Sequence, residues 1–359
     1  MSSSRPIVRV LFRVAGGRRL GFGHIARALS LARAMEAPAV LSVRGTRETR
    51  AIARRMGART LSSSLIAALA QFRPELVVID DPDAAASLRA LALCRRLGAR
   101  VASVHDLAIA TIPSDVAIDG SIVRRGPLDA AASLTGPRYA ILDPTIASLA
   151  AASARDGARA LPREASPRVV VSLGGGPRRA LGLRIAHAVK RAHPSADVIV
   201  AGGFAARARP AARLSSSSSS SPATVARLAR TPVVRWLPSP DAFRPELARA
   251  DVAVLAGGVT LYEAAALGVA AVALAVVPAQ TPTVRGFAAR RAVLNAGGVA
   301  DGRSAAAATA IAAAVTRRVT RLLGDERLRR RIARRARGLV DGRGAWRVAS
   351  ALRELVTAS

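Results

Sequence analysis

The sequence predicts an α/β protein of two doubly wound, Rossmann-like domains that face each other across a cleft. Three observations carry this. Short apolar runs alternate with helix-periodic segments along the chain, a stretch rich in Ala, Arg and Pro interrupts the series near its middle, and two strand-to-helix junctions are rich in glycine. At 359 residues the chain is also longer than a typical single core.

The first series opens with a strand over 8–14 and a loop holding Gly16, Gly17, Gly21 and Gly23. A helix starting at His24 follows. Its apolar side is Ile25, Leu29, Leu31, Ala32 and Met35, while Arg27 and Arg33 project elsewhere. Strand-like runs recur at 39–43, 76–79 and 101–104, and their continuous apolar character implies parallel strands covered on both faces. Residues 151–167 are the expected linker between an N-terminal domain, 1–150, and a C-terminal domain, 168–359. The second series supplies strands at 169–173, 198–201, 233–237, 252–255 and 269–275. An uninterrupted serine tract, 215–221, reads as a flexible surface insertion without chemistry.

Composition narrows the function classes. Hydrophobic residues make up 51% and aromatic residues 3%, so the cores must be built mainly from Ala, Val and Leu. A formal net charge of +32 invites a nucleic-acid reading. The arginines, however, are scattered over presumed helix faces without interleaved aromatics, and Lys190 and Asn295 are the single lysine and asparagine, the imprint of a GC-rich coding bias. A solvated basic surface is therefore expected, with no specific nucleic-acid partner. Cys94 is the single cysteine, which excludes an internal disulfide, and its place in LALCRRLG suits a buried packing role. No signal-peptide pattern opens the sequence, and the longest uncharged stretch, 264–284, contains Gly268, Pro278 and Pro282. A cytoplasmic protein without a membrane span is expected. The histidines His24, His105, His187 and His193 form no metal-ligand spacing with Cys94, and there is no Walker loop, so neither metal nor cofactor is expected.

Two glycine junctions carry the candidate chemistry. In AGGVTLYEAAALG, residues 256–268, Gly257 and Gly258 allow close backbone approach to a ligand, Thr260 can cap the following helix, and the helix N-terminus attracts an anion. Glu263, one turn in, suits paired hydroxyls such as those of a ribose; its plainer reading is an acid that complements the helix dipole. A nucleotide satisfies both ends of this motif. At the other junction, Gly21 and Gly23 open the backbone before His24, and a histidine at a helix start is expected to be neutral and able to accept a proton. Gly174 and Gly175, after VVVSL, form a turn that either approaches a diphosphate or simply connects strand to helix.

The run FRVAGGRRLGFGHIARALSLARAM, 12–35, together with GG-x-T-x-x-E at 257–263, resembles the PseG/SpsG family of nucleotide-sugar enzymes. Further matches lie in order along the chain: VVIDD at 77–81, HDLA at 105–108, GPRYAILDP at 136–144, VVSLGGG at 170–176 and DGRGAWRVASAL at 341–352. The resemblance implies a glycosyltransferase-B-like fold similar to that of MurG, whose last helix crosses back to the first domain. It also implies hydrolysis of a UDP-sugar at the anomeric carbon, of the type found in pseudaminic acid synthesis, with a glycosyltransferase or a non-catalytic nucleotide-sugar or polyanion binder as rivals. In that reading His24 is the base that activates water. Glu263 holds the ribose, Thr260, Gly257 and Gly258 lie along the nucleotide, Gln280 faces the diphosphate or sugar, and Arg27, Gly21, Gly23, Gly174 and Gly175 line the site. The chain departs from the family pattern where Asp80, Asp81 and Pro82 stand in place of Asp-His-Tyr, and where Ala279 precedes Gln280 in place of asparagine.

Overall fold

The chain folds around two separate parallel sheets. The computed structural model describes residues 8–17, 20–62, 64–107, 111–124, 126–155, 166–174, 178–201, 234–237, 240–298 and 305–357. Gly175, the serine tract 215–221 and most of the expected linker lie outside them; residues 151–155 belong to the helix Thr145–Arg155.

The first sheet contains β1 (Val10–Ala15), β2 (Val40–Arg44), β3 (Arg59–Thr60), β4 (Leu76–Asp80), β5 (Arg100–Val104), β6 (Ser114–Asp119) and β7 (Ala130–Thr135). Their order is β3-β2-β1-β4-β5-β6-β7, all parallel. The second contains β8 (Arg168–Ser172), β9 (Asp197–Ala201), β10 (Arg235–Leu237), β11 (Val252–Ala256), β12 (Ala270–Ala275) and β13 (Leu294–Gly298), in the order β10-β9-β8-β11-β12-β13, also parallel. Each sheet therefore reverses its winding once, between β1 and β4 in the first and between β8 and β11 in the second. In open α/β sheets, ligands bind beyond the carboxyl ends of the strands at such a reversal.

The central strands are largely apolar because helices cover both faces. All of β11 and β12 is buried, and so are β2 up to Val43 and all of β4 including Asp80. With few aromatics available, the largest enclosed side chains are Phe12 and Phe287, and Ala, Val, Leu and Ile fill the remaining space.

Two segments depart from the simple division at the linker. The helix Thr145–Arg155 packs on the helices Pro240–Ala248 and Val259–Leu267 of the second sheet, and Ile146 and Ala150 join a core with Leu247, Leu261 and Ala265. The last helix, Gly344–Thr357, returns to the first sheet. There Ala345, Val348, Ala349 and Leu352 pack with Phe12, Leu29 and Ile118. Its entry is fixed by Arg347, which donates from Nη1 to Asp341 Oδ1 at 2.8 Å and to the Arg138 carbonyl at 2.8 Å. Gly344 is buried directly on the Ala140 backbone, so that a Cβ would fall onto that carbonyl. A Gly344→Ala substitution cannot be absorbed by a side-chain rotation and is expected to cost about 1–3 kcal/mol or more, read as a lower urea midpoint than wild type. An unchanged midpoint would show that the helix docks elsewhere in solution.

Candidate active site

The first half of the site stands at the winding reversal of the first sheet. Val14 near the end of β1 is in register with Asp80 at the end of β4. Beyond β1 the chain turns through a closed glycine loop, in which Gly17 donates to the Gly21 carbonyl at 3.0 Å and Gly21 returns the bond to Gly17 at 2.7 Å. Gly21 holds φ at 82°, in the left-handed region that a side chain disfavours. The helix Gly23–Ala34 starts immediately afterwards, which puts His24 and Arg27 one turn apart on one face. Gly23 is exposed at its mouth.

Asp80 gathers these two side chains. His24 Nδ1 lies 2.8 Å from Asp80 Oδ1, while Arg27 donates from Nη2 to the same oxygen at 2.6 Å and from Nε to Oδ2 at 2.7 Å. Arg27 Nη1 reaches on to Asp106 Oδ1 at 2.7 Å. A carboxylate can only accept, so the proton of a neutral His24 sits on Nδ1 and leaves Nε2 as the acceptor. Burial disfavours the imidazolium, but the charge of Asp80 and its hydrogen bond outweigh that effect, and the His24 pKa lies above its ordinary value of 6.5. The direction is opposite to the one the helix start alone would impose. The partial charge of a helix end is weaker than a full carboxylate in contact. Burial likewise opposes ionised Asp80, yet Arg27 and His24 hold it well below the usual carboxylate range.

The second half stands at the reversal of the second sheet. β11 runs into Gly257 and Gly258, and the helix Val259–Leu267 begins with Gly258 at its N-cap and no side-chain cap. Thr260 therefore does not cap this helix, as the sequence suggested; it sits within the first turn, where backbone N–H groups lack intrahelical partners. Gly257 is also needed for packing within the protein, since a Cβ there would come within 2.7 Å of Val284 Cγ2 and 3.0 Å of the Gln280 carbonyl. Gln280 accepts from the Val276 N–H through Oε1 at 2.9 Å, and a Cβ on Gly258 would stand 3.8 Å from its Nε2. Its amide nitrogen thus faces the glycine turn. Gly174, at the end of β8 beside β11, is exposed and holds φ at 84°.

Glu263 is 6% exposed and receives Arg244 Nε on Oε1 at 3.2 Å. Burial pushes its pKa up, and Arg244 only partly counters this. Arg244 also reaches Asp143 Oδ2 at 3.4 Å, and the same oxygen receives Arg33 from the helix that carries His24. The ion-paired chain Arg33, Asp143, Arg244, Glu263 so ties the two halves together. Tyr262 adds a second tie, as its hydroxyl accepts from the Ile122 N–H at 3.0 Å. Asp106, Asp143 and Arg244 were not singled out from sequence, and Asp80 only as part of a matched run and of a departure from the family pattern, because nothing local marks a partner 53 or 110 residues away. Among the described residues, no three or more His, Cys, Asp or Glu side chains gather to hold a metal ion.

No family model matches the chain. The spore coat polysaccharide biosynthesis protein SpsG of Bacillus subtilis (strain 168) is 31% identical over 129 residues, which amount to 36% of this chain and 36% of that protein. Likeness of structure extends much further. MurG of Acinetobacter baumannii superposes with a TM-score of 0.62 at 15% identity, covering 96% of this chain and 99% of MurG. The chain has the glycosyltransferase-B fold. Two further structures share this glycosyltransferase-B arrangement. The spinosyn rhamnosyltransferase SpnG complexed with thymidine diphosphate has a TM-score of 0.59 at 15% identity, over 97% of this chain and 100% of SpnG. The S. aureus MnaA–UDP structure has a TM-score of 0.58 at 10% identity, over 98% of both chains. Among the described residues, no helix is long and apolar enough to cross a membrane.

Proposed function

We propose that the protein is an enzyme that acts at the anomeric carbon of a UDP-sugar and hydrolyses it to UDP and the free sugar, the reaction type that the PseG/SpsG resemblance implies. The observation that carries this reading is the His24–Asp80 pair, braced by Arg27 at one winding reversal and tied through Asp143 to the glycine-led helix at the other. His24 Nε2 takes a proton from water as the water oxygen bonds to the anomeric carbon. The bond from that carbon to the diphosphate oxygen breaks, and UDP leaves with the electron pair. Asp80 keeps the imidazole in the right tautomer and stabilises the imidazolium that forms. Charge developing on the diphosphate meets the N-terminal N–H groups of the helix Val259–Leu267 and the Gln280 amide. Glu263, with Oε1 engaged by Arg244, offers Oε2 to ribose hydroxyls. The nucleoside diphosphates bound by SpnG and MnaA support a nucleotide in a fold of this kind.

One observation favours a transferase as the second reading. Asp81, which stands where the resemblance calls for a sugar-side histidine, is committed to Arg44 through a 2.6 Å bond from Nε and to the Asp83 N–H at 3.0 Å. A base placed like His24 deprotonates an acceptor hydroxyl as readily as water. Incubation with a panel of UDP-sugars, with and without acceptor alcohols, separates the readings by UDP release. Release without acceptor supports the hydrolase, release only with acceptor the transferase, and none across the panel leaves a binding protein.

The ribose role of Glu263 has its own test. A charge-assisted hydrogen bond contributes about 1.5–3 kcal/mol, so Glu263→Ala should weaken UDP binding roughly ten- to a hundredfold in calorimetry. Arg244 keeps Asp143 as a partner in this variant, which limits the structural damage. A folded variant with wild-type affinity for UDP removes Glu263 from the site.

A further inference from the structure

A second concavity lies at the opposite end of the second sheet, where the strands begin. It has a volume of about 810 Å3 and is walled by Arg291, Arg317, Arg318, Arg321, Arg331 and Arg335 over an apolar floor that includes Leu294 and Ile332. Arg291 precedes β13, and the others come from the helices Ala305–Gly324 and Glu326–Leu339. Among the described residues, no carboxylate lines it. Arg318 donates to the Ala314 carbonyl at 2.9 Å, but none of the six pairs with an acid among the described residues, in contrast to neighbouring Arg330, which pairs with Glu326 at 2.7 Å.

We propose that this groove binds a compact anion carrying several contiguous phosphates. Six guanidinium groups around one concavity repel one another, and helix packing holds them together with no carboxylate among the described lining residues. An anion of high charge density relieves that repulsion, and the planar donor fork of arginine matches phosphate oxygens two at a time. The volume is that of a small-molecule site. Single-stranded nucleic acid fits less well, because no aromatic side chain lines the groove to stack on a base. This assignment is independent of the reading of the cleft, since no residue is shared.

Calorimetry of the full chain with inorganic tripolyphosphate, orthophosphate and a short DNA duplex at about 0.15 M salt tests it, because exposed charges further apart than roughly 8 Å are screened there. Saturable one-to-one binding of tripolyphosphate is expected, at least about tenfold tighter than orthophosphate. The double variant Arg321→Gln/Arg331→Gln should weaken it by about tenfold or more, and Arg317→Gln/Arg335→Gln repeats the test at independent positions. Arg55→Gln/Arg96→Gln makes the same charge change at exposed positions on the first domain and should leave binding unaltered. The proposal is overturned by absence of saturable binding, by equal weakening in groove and control variants, or by a duplex that binds more tightly than tripolyphosphate and is lost with the same groove arginines.

Discussion

Replacing His24 with Asn is expected to lower the turnover number by about two to four orders of magnitude on whichever UDP-sugar the panel identifies. Asparagine preserves much of the size and can still donate to Asp80, but it takes no proton at neutral pH. The nucleotide rests in the proposed site on the helix Val259–Leu267, so UDP affinity should change little. The measurement is steady-state UDP release beside calorimetric titration of UDP. Near-normal turnover would make His24 a scaffold residue and remove the base from the mechanism. A matched loss of turnover and UDP affinity would instead point to a collapsed loop between Gly17 and Gly23.

An Asp80→Asn variant is expected to combine a turnover loss of roughly a hundredfold or more with a displaced pH profile. In the wild type, Asp80 raises the His24 pKa above 6.5. A base must be unprotonated to act, so kcat/KM should rise with pH through a limb centred above that value. Without the carboxylate's charge, burial and Arg27 both lower the His24 pKa against only the smaller upward pull of Asp106, and the limb should move to lower pH. Arg27 keeps Asp106 as a partner, so the substitution does not strand a buried guanidinium. A limb that stays in place would show that His24 is not the titrating base; a limb that moves upward would contradict the electrostatic role given to Asp80.

Most of the architecture was legible because it is written in contiguous residues. The runs at 76–79 and 252–255 are apolar throughout, as strands buried on both faces must be, and they correspond to β4 and β11. Strands β7 and β13 escaped notice. They are edge strands of sequence AAASLT and LNAGG, half-exposed and poor in branched side chains, so neither periodicity nor propensity separates them from loop. β6, with the sequence SDVAID, is interrupted by a carboxylate at its second position, which masks a strand that is otherwise buried. The glycine loop before His24 and the helix carrying Glu263 were visible as local motifs. What surrounds each of them was not: the carboxylate that tunes His24 belongs to another strand, and the arginine that holds Glu263 belongs to a helix 19 residues earlier. Arginine is so abundant in this chain that sequence offers no means of telling Arg244 from the solvated majority, and Arg27 stood out only through the family resemblance.

The return of the last helix has a mechanical consequence. The chain passes between the two domains near Asp143 on the way out and near Asp341 on the way back. These passages lie side by side: a Cβ on Gly342 would stand 3.5 Å from the Ala147 backbone, and Arg337 Nη2 donates to the Ala150 carbonyl at 3.2 Å. A single connection would let the domains swivel in any direction. Two adjacent ones work as a door hinge, which permits swinging about the line joining them and resists twisting across it. Any relative motion of the two sheets is thereby expected to follow one swing about that line.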